Sequence, residues 1–215
     1  MNTATPDTPI RSLGAREALA PDELRQPWRV LSGVLRVDSA PKGEPARFVR
    51  LALPGDVVGV ERWAGSNDSL RLRAVIAAQL TPVDATGDAM MHILMETVVV
   101  AHQRCREVVS LRSGPAARRI QALLLMFAQS GVAEGVEEGL ATQNFAVPHL
   151  SDLSAILDIA PETASRAFTS MRSGDFLAER RPQKARLRSQ VTRGIAAVAD
   201  LSAGLVPASK KGLAT

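Results

Sequence analysis

The chain has 215 residues, which is more than one small domain needs and enough for two domains with separate apolar cores. It carries 26 basic and 22 acidic residues, a formal net charge of +4. The single cysteine, Cys105, excludes an iron–sulfur cluster held by four cysteines. We expect a cytoplasmic protein with no membrane association, because the sequence shows neither a signal-peptide pattern nor a long apolar span.

The first predicted unit is a β domain over residues 16–88, after a Thr/Pro-rich segment, residues 1–15, that we expect to be a disordered tail. β-rich runs cover residues 28–37, 48–53, 57–60 and 72–78. Pro54-Gly55-Asp56 marks a turn between two of these runs. Short strands separated by turns predict a sandwich or a barrel.

A long helix is predicted over residues 89–113. Its apolar residues recur at alternating intervals of three and four and form a heptad seam of Met91, Leu94, Val98, Ala101, Cys105 and Val108. The seam predicts a dimer interface, although the same stripe could instead pack onto the β domain. In a dimer, Cys105 would face its symmetry mate, either as a buried thiol or as a redox switch. Ser113-Gly114-Pro115 ends the helix and forms a candidate hinge.

Residues 114–190 form the last predicted domain, and residues 191–215 form a C-terminal extension. A helix begins at Ala116 and leads to an acidic loop, residues 131–139, which is either an ordinary solvated loop or a contact for RNA polymerase. Two short helices follow at 150–157 and 161–174, joined by a tight turn. This spacing predicts a helix-turn-helix that can enter a DNA groove.

The second of these helices has two different faces. Its apolar side consists of Ala164, Ala167, Phe168 and Met171. Its opposite side carries Glu162, Ser165, Arg166 and Thr169. An outward arginine can donate two hydrogen bonds to guanine, and a glutamate can accept one from cytosine, so this face predicts base reading. We also assign a DNA contact to Ser151 at the start of the preceding helix. The alternative is a solvated face with an ordinary Glu–Arg pair.

A basic hairpin is predicted directly after the helix-turn-helix. Apolar runs at 176–178 and 185–188 flank a basic turn, and residues 161–193 contain eight basic residues against three acidic ones. Basic residues concentrated beside a helix-turn-helix are expected to contact phosphates. We assign this role to Arg180, Arg181 and Lys184, with a merely solvated hairpin as the alternative.

The run from residue 150 to 177 resembles the winged helix-turn-helix of the CRP/FNR family of bacterial transcription regulators. Recognition helices of that family carry Glu-Thr-x-x-Arg or Glu-x-x-Ser-Arg, and Glu162-Thr163-Ala164-Ser165-Arg166 satisfies both forms. The resemblance implies that Glu162, Ser165 and Arg166 contact bases. Having Ser165 directly before Arg166 is similar to the FNR branch, which implies TTGAT-like half-sites in an inverted repeat. Pro161 stands where the cyclic-AMP-responsive branch has a base-contacting arginine, so the half-site of that branch does not carry over.

The spacing of residues 31–34 and 53–59 resembles the cyclic-nucleotide-binding jelly roll of the same family, so the resemblance covers most of residues 28–188. It implies an α+β fold with an N-terminal cyclic-nucleotide-binding-like β jelly roll, a long dimerisation helix and a C-terminal winged helix-turn-helix.

The residues expected to bind an effector depart from that family's pattern. Nucleotide-binding members use a Gly-Glu pair and an arginine followed by serine or threonine. Gly59-Val60-Glu61 has an extra residue, and no hydroxyl residue follows Arg71 or Arg73, so a cyclic nucleotide is not expected. Glu61, Arg71 and Arg73 are either a pocket for another anion or, for the arginines, outward strand positions.

No cofactor is predicted. The three histidines, His92, His102 and His149, lack metal-ligand spacing. A haem held by His92 or His102 is left as an alternative.

The sequence as a whole predicts a homodimeric regulator of transcription that binds double-stranded DNA and is not an enzyme. One alternative is a constitutive or thiol-controlled member without a small-molecule effector. Another is a small-molecule-binding or cupin-like enzymatic β module with a winged helix used for protein contact. No histidine precedes residue 92, which disfavours the metal-dependent form of that second alternative.

Overall fold

The computed structural model describes residues 9–63, 69–84, 86–130, 144–173, 176–181 and 184–187. Its N-terminal part is an antiparallel β domain, as predicted. The strands are β1 (Arg11–Leu13), β2 (Trp28–Ser39), β3 (Arg47–Ala52), β4 (Val57–Val58) and β5 (Leu70–Pro82), and a single-turn helix, α1 (Val60–Trp63), follows β4. The described strands pair in the order β1–β5–β2–β3, and β4 pairs with β2.

Two predicted boundaries in this domain need correction. β1 lies inside residues 1–15, which were predicted as a disordered tail, yet it pairs with β5 and buries Leu13. A strand of three residues is too short to give a periodic signal. β2 and β5 also extend beyond their apolar runs, and β2 continues through the polar residues Asp38 and Ser39. Because of β1, the β domain begins before residue 16.

A glycine in β2 lets two strands approach closely. Gly33 has a φ of +81°, and the pairing with β5 shifts register between Ser32 and Val34. A β-carbon at this position would lie 2.1 Å from the carbonyl oxygen of Ala77. Glycine is required here because it has no β-carbon and adopts a left-handed backbone without strain.

Two long helices follow the β domain, α2 (Gly87–Leu111) and α3 (Ala116–Ser130). α2 lies two residues earlier in the chain than the predicted helix over 89–113. Gly114 lies in the turn between the two helices and has a φ of +81°. The change of chain direction is therefore at the predicted hinge.

Two ion pairs hold α2 against the β domain. Arg29 contacts Glu96 at 2.9 Å, and Arg104 contacts Asp56 at 2.8 Å. The hydrogen bonds from Arg29 lower the pKa of Glu96. Burial lowers the pKa of Arg104, but hydrogen bonds to Asp56 and Glu107 outweigh it and raise that pKa. These charged contacts fix which face of α2 is turned toward the β domain.

The C-terminal part contains β6 (Asn144–Ala146), α4 (Leu150–Leu157), α5 (Pro161–Ser173), β7 (Leu177–Arg181) and β8 (Lys184–Leu187). The three strands form an antiparallel sheet in the order β6–β8–β7. A helix pair followed by a hairpin is the arrangement predicted for this segment. The predicted acidic loop at 131–139, the helix stop at Gly174 and the extension at 191–215 lie outside the described residues.

One apolar cluster joins the two domains. From the β domain it includes Val34, Phe48, Leu51, Val75 and Ile76. From the C-terminal domain it includes Ile120, Leu123, Phe127, Leu153, Ile156 and Phe168. The C-terminal domain is therefore packed on the sheet. No helix within the described ranges is long and apolar enough to cross a membrane.

Candidate nucleic-acid interface

α5 has one buried face and one exposed polar face. Its buried residues are Ala164, Phe168 and Met171. Its exposed polar residues include Glu162, Ser165, Arg166 and Thr169. The Thr169 hydroxyl donates a hydrogen bond to the carbonyl oxygen of Ser165 at 3.2 Å. All four residues predicted to read bases thus lie on one accessible side of the helix.

α4 and the turn after it determine where α5 lies. The turn contains Asp158 in the left-handed conformation, with a φ of 53°. The amide of Ile159 donates to the carbonyl oxygen of Ser154 at 3.1 Å, which closes the end of α4. Leu153, Ile156 and Leu157 are fully buried, while Ser151 is exposed. α4 thus buries its apolar side and leaves its first residues accessible, and the polar face of α5 is exposed, an arrangement that suits groove reading by α5.

The basic positions of the hairpin lie at its tip. Arg181 is the last residue of β7 and pairs in register with Lys184, the first residue of β8. Arg180 precedes Arg181 on the same strand. The hairpin follows α5 directly in the chain, so these positions are candidates for phosphate contact beside the recognition face.

α2 exposes an apolar row on the side away from the β domain. The row runs through Met91, Met95, Val98, Cys105 and Val109, with the exposed His102 in the same heptad pattern. Met91, Met95, Val98 and Val109 are each more than 60% exposed. A row of this kind on a long helix is suited to a partner helix.

This row includes three of the six residues of the predicted seam. Met91, Val98 and Cys105 lie on it, but Leu94, Ala101 and Val108 are partly covered by their own chain. Leu94 packs beside Val57, Val60 and Ile93, and Val108 packs against the large cluster. A heptad pattern cannot distinguish the stripe that covers the β domain from the adjacent stripe that faces outward, because both recur at the same intervals.

Comparison with known proteins gives a likeness of fold. No protein-family model matches the sequence, and no curated protein matches it. Solved structures do match. A CRP-family transcriptional regulator from Thermus thermophilus has a TM-score of 0.65 at 19% identity, covering 87% of this chain and 96% of that chain. FixK2 from Bradyrhizobium japonicum has a TM-score of 0.62 at 20% identity, with coverages of 87% and 96%.

A second Thermus thermophilus protein, a CRP/FNR-family transcriptional regulator, has a TM-score of 0.61 at 19% identity and covers 88% of this chain and 98% of that chain. The chain has the CRP/FNR fold. The match spans nearly the whole length of these regulators, so β domain, long helix and C-terminal domain are all part of it.

Within the CRP/FNR fold, the three residues predicted as an effector pocket have different surroundings. Glu61 contacts Arg50 at 3.3 Å. Arg73 donates to Asp152 of α4 at 2.5 Å, and Arg71 is exposed. No hydrogen bond or ion pair among the described residues joins Glu61 to Arg71 or Arg73. Glu61 and Arg73 are thus each paired with another residue of the chain, and an anion pocket that they form with Arg71 stays a prediction.

A cleft of about 390 Å³ lies elsewhere, between the turn after β3, α2 and α3. Its lining includes Leu53, Gln103, Glu107 and Gln129, and none of the three predicted effector residues.

The histidines lie on or beside helices. His92 and His102 are exposed on α2, and His149 is the residue before α4. No group of three potential metal ligands occurs in the part of the chain that is described.

The contact between Arg73 and Asp152 is the site feature that sequence reasoning missed. Asp152 belongs to the predicted first helix of the helix-turn-helix, and it is buried. Its partner lies 79 residues earlier in the chain. A buried carboxylate in an otherwise apolar helix face was the available signal, because such a group requires a partner.

Proposed function

We propose that this protein is a homodimeric transcription regulator that binds double-stranded DNA in a sequence-specific manner. The observation that carries the proposal is the exposed face of α5, where Glu162, Ser165, Arg166 and Thr169 lie together opposite a buried apolar face. The fold adds support, since several solved structures that share it are described as transcriptional regulators. On this proposal the protein is cytoplasmic and is not an enzyme.

Dimerisation through α2 explains how a short recognition helix can bind tightly. The exposed apolar row would be covered by the same row of a second copy. Two recognition helices then meet two half-sites about one helical turn apart. We propose an inverted repeat with TTGAT-like arms, following the Ser165-Arg166 resemblance to the FNR branch.

Selection of bound sequences from a random duplex library, without added effector and at physiological salt, tests the proposal. We expect an inverted repeat with TTGAT-like arms to be enriched. Recovery of an inverted repeat with other arms would retain the dimeric regulator and reject the half-site. If a folded dimer enriches no motif with or without candidate small anions, the proposed function is wrong.

Arg166→Ala and Arg181→Ala should have different effects on DNA binding, because the first should remove a base contact and the second a phosphate contact. Loss of a base-reading arginine should weaken binding to the preferred site by about 1–3 kcal/mol and relax preference at one base pair. Loss of a phosphate contact should weaken binding to all sequences similarly and reduce the salt dependence. Competition titrations with the selected site and with random DNA measure both effects. Equal losses on the two DNAs for Arg166→Ala would mean that Arg166 is not a reader.

A further inference from the structure

The carboxylate of Asp152 lies among three arginines of the β domain. Arg73 of β5 donates to it at 2.5 Å. Arg16, in the loop after β1, is 3.6 Å away, and Arg36 of β2 is 3.9 Å away. Asp152 is 4% exposed, whereas Arg16 is half exposed. One acidic side chain of α4 thus reaches a basic cluster on the neighbouring domain.

The β domain needs an anion at this place. Arg36 and Arg73 are directly opposite each other on adjacent antiparallel strands. Like charges in cross-strand positions repel, and both side chains are largely buried. Asp38 offsets part of this charge through its contact with Arg36 at 2.5 Å. Asp38 pairs with Arg36 alone, and the ion pair that Arg73 makes among the described residues is the one with Asp152, so α4 supplies the carboxylate that partners Arg73.

A second contact fixes the other end of α4. Arg112, at the end of α2, donates to the carbonyl oxygens of Ile156 at 3.2 Å and Ala155 at 3.4 Å. Its guanidinium also lies 5.3 Å from the ring centre of Phe48 on β3. α4 is therefore held near its first turn by the β domain and near its last turn by the end of α2.

We propose that Asp152 is an interdomain latch that presets the orientation of the recognition helix. α5 follows α4 after a short turn, so the position of α4 determines that of α5. Because α2 is the proposed dimer helix, fixing α4 against α2 and the β domain would set the separation of the two recognition helices in a dimer. The inference rests on the proposed function, since it assigns the latch a role in binding two half-sites.

Asp152→Asn tests the latch, because it keeps the shape of the side chain and removes its charge. Asp158→Asn is the matched control. It removes one negative charge from the same helix pair, but Asp158 is exposed, and asparagine also tolerates its left-handed backbone. Arg73→Gln removes the shortest contact from the other side and leaves the helix-turn-helix unaltered.

We expect Asp152→Asn and Arg73→Gln to lower the affinity for the two-arm operator by about fivefold or more, the lower end of typical coupling between sites. Affinity for DNA with a single arm should be unchanged, because one arm binds one recognition helix and does not depend on the separation of the two helices. Operators with one or two base pairs inserted between the arms should be discriminated less sharply than by the wild type. Asp158→Asn should match the wild type in arm spacing.

Three outcomes would overturn the proposal. The first is an unchanged affinity and spacing profile in both latch variants. The second is an equal loss on one arm and on two arms, which would assign Asp152 to the stability of the helix pair alone. The third is tighter binding to the operator, which would mean that the contact of Asp152 with the β domain opposes DNA binding.

A distance measurement without DNA tests the latch independently of the proposed function. Spin labels on Val49→Cys and Arg172→Cys, both at exposed positions, report the distance between the β domain and α5 in a Cys105→Ser background. Dilution with unlabelled chain leaves only distances within one chain. A narrow distribution that broadens in Asp152→Asn supports the latch, and one that stays narrow rejects it. Absence of any DNA binding by the wild type would reject the proposed function and leave this result standing.

Discussion

Val98→Glu is expected to separate the proposed dimer and to lower operator affinity by about 10²–10⁴-fold, the gain that linking two binding events provides. Val98 is 65% exposed at the middle of the apolar row on α2. In a symmetric interface the substitution would place two carboxylates opposite each other away from water, which is costly. The fold of the single chain should tolerate it, because the side chain has little contact with its own protein.

Light scattering gives the mass of the Val98→Glu variant, and titration with one-arm and two-arm DNA gives its affinities. The one-arm affinity should equal that of the wild type. Ile10→Glu makes the same chemical change at a residue that is 58% exposed on the β domain, and it should stay dimeric. A dimeric Val98→Glu variant would mean that the exposed row on α2 is not the interface.

Gly33→Ala is expected to lower the free energy of unfolding by about 2–5 kcal/mol. A left-handed backbone costs an alanine about 1–2 kcal/mol, and a side chain forced into a packed region costs about 1–3 kcal/mol more. The added carbon would overlap the Ala77 carbonyl oxygen at 2.1 Å, so β2 and β5 must move apart. Denaturant unfolding monitored by tryptophan fluorescence measures the change.

Gly43→Ala is the control for Gly33→Ala. Gly43 has nearly the same backbone conformation, with a φ of +83°, but nothing lies within 4 Å of the position that a β-carbon would take. It should lose only the conformational part, about 1–2 kcal/mol. Equal losses in the two variants would show that strand spacing at Gly33 can adjust and that the close approach contributes no stability.

The helix-turn-helix could be predicted because its signals are local. Ala164, Phe168 and Met171 recur at helical spacing within one short segment, and the structure buries all three. The opposite face, including Arg166, is exposed for the same geometric reason. Neither conclusion depends on a distant part of the chain.

Features that depend on distant pairs could not be predicted in the same way. The ionic contact of Asp152 joins residues 79 positions apart, and neither residue type identifies the other. The exposed side of α2 was placed only in part, because its rotation depends on Arg29 and Arg104 contacting the β domain. β1 was missed because its stability comes from pairing with β5.

The apolar cluster shared by the two domains limits replacement of the C-terminal domain by that of another protein. Val34, Phe48 and Ile76 of the sheet would meet water if the C-terminal domain were removed. A DNA-binding domain grafted from another protein would have to cover this surface and to bring a carboxylate to Arg36 and Arg73. If the proposed function holds, a new operator preference is therefore expected from substitutions on the outer side of α5, whereas an exchange of the whole domain would require matched changes in the sheet.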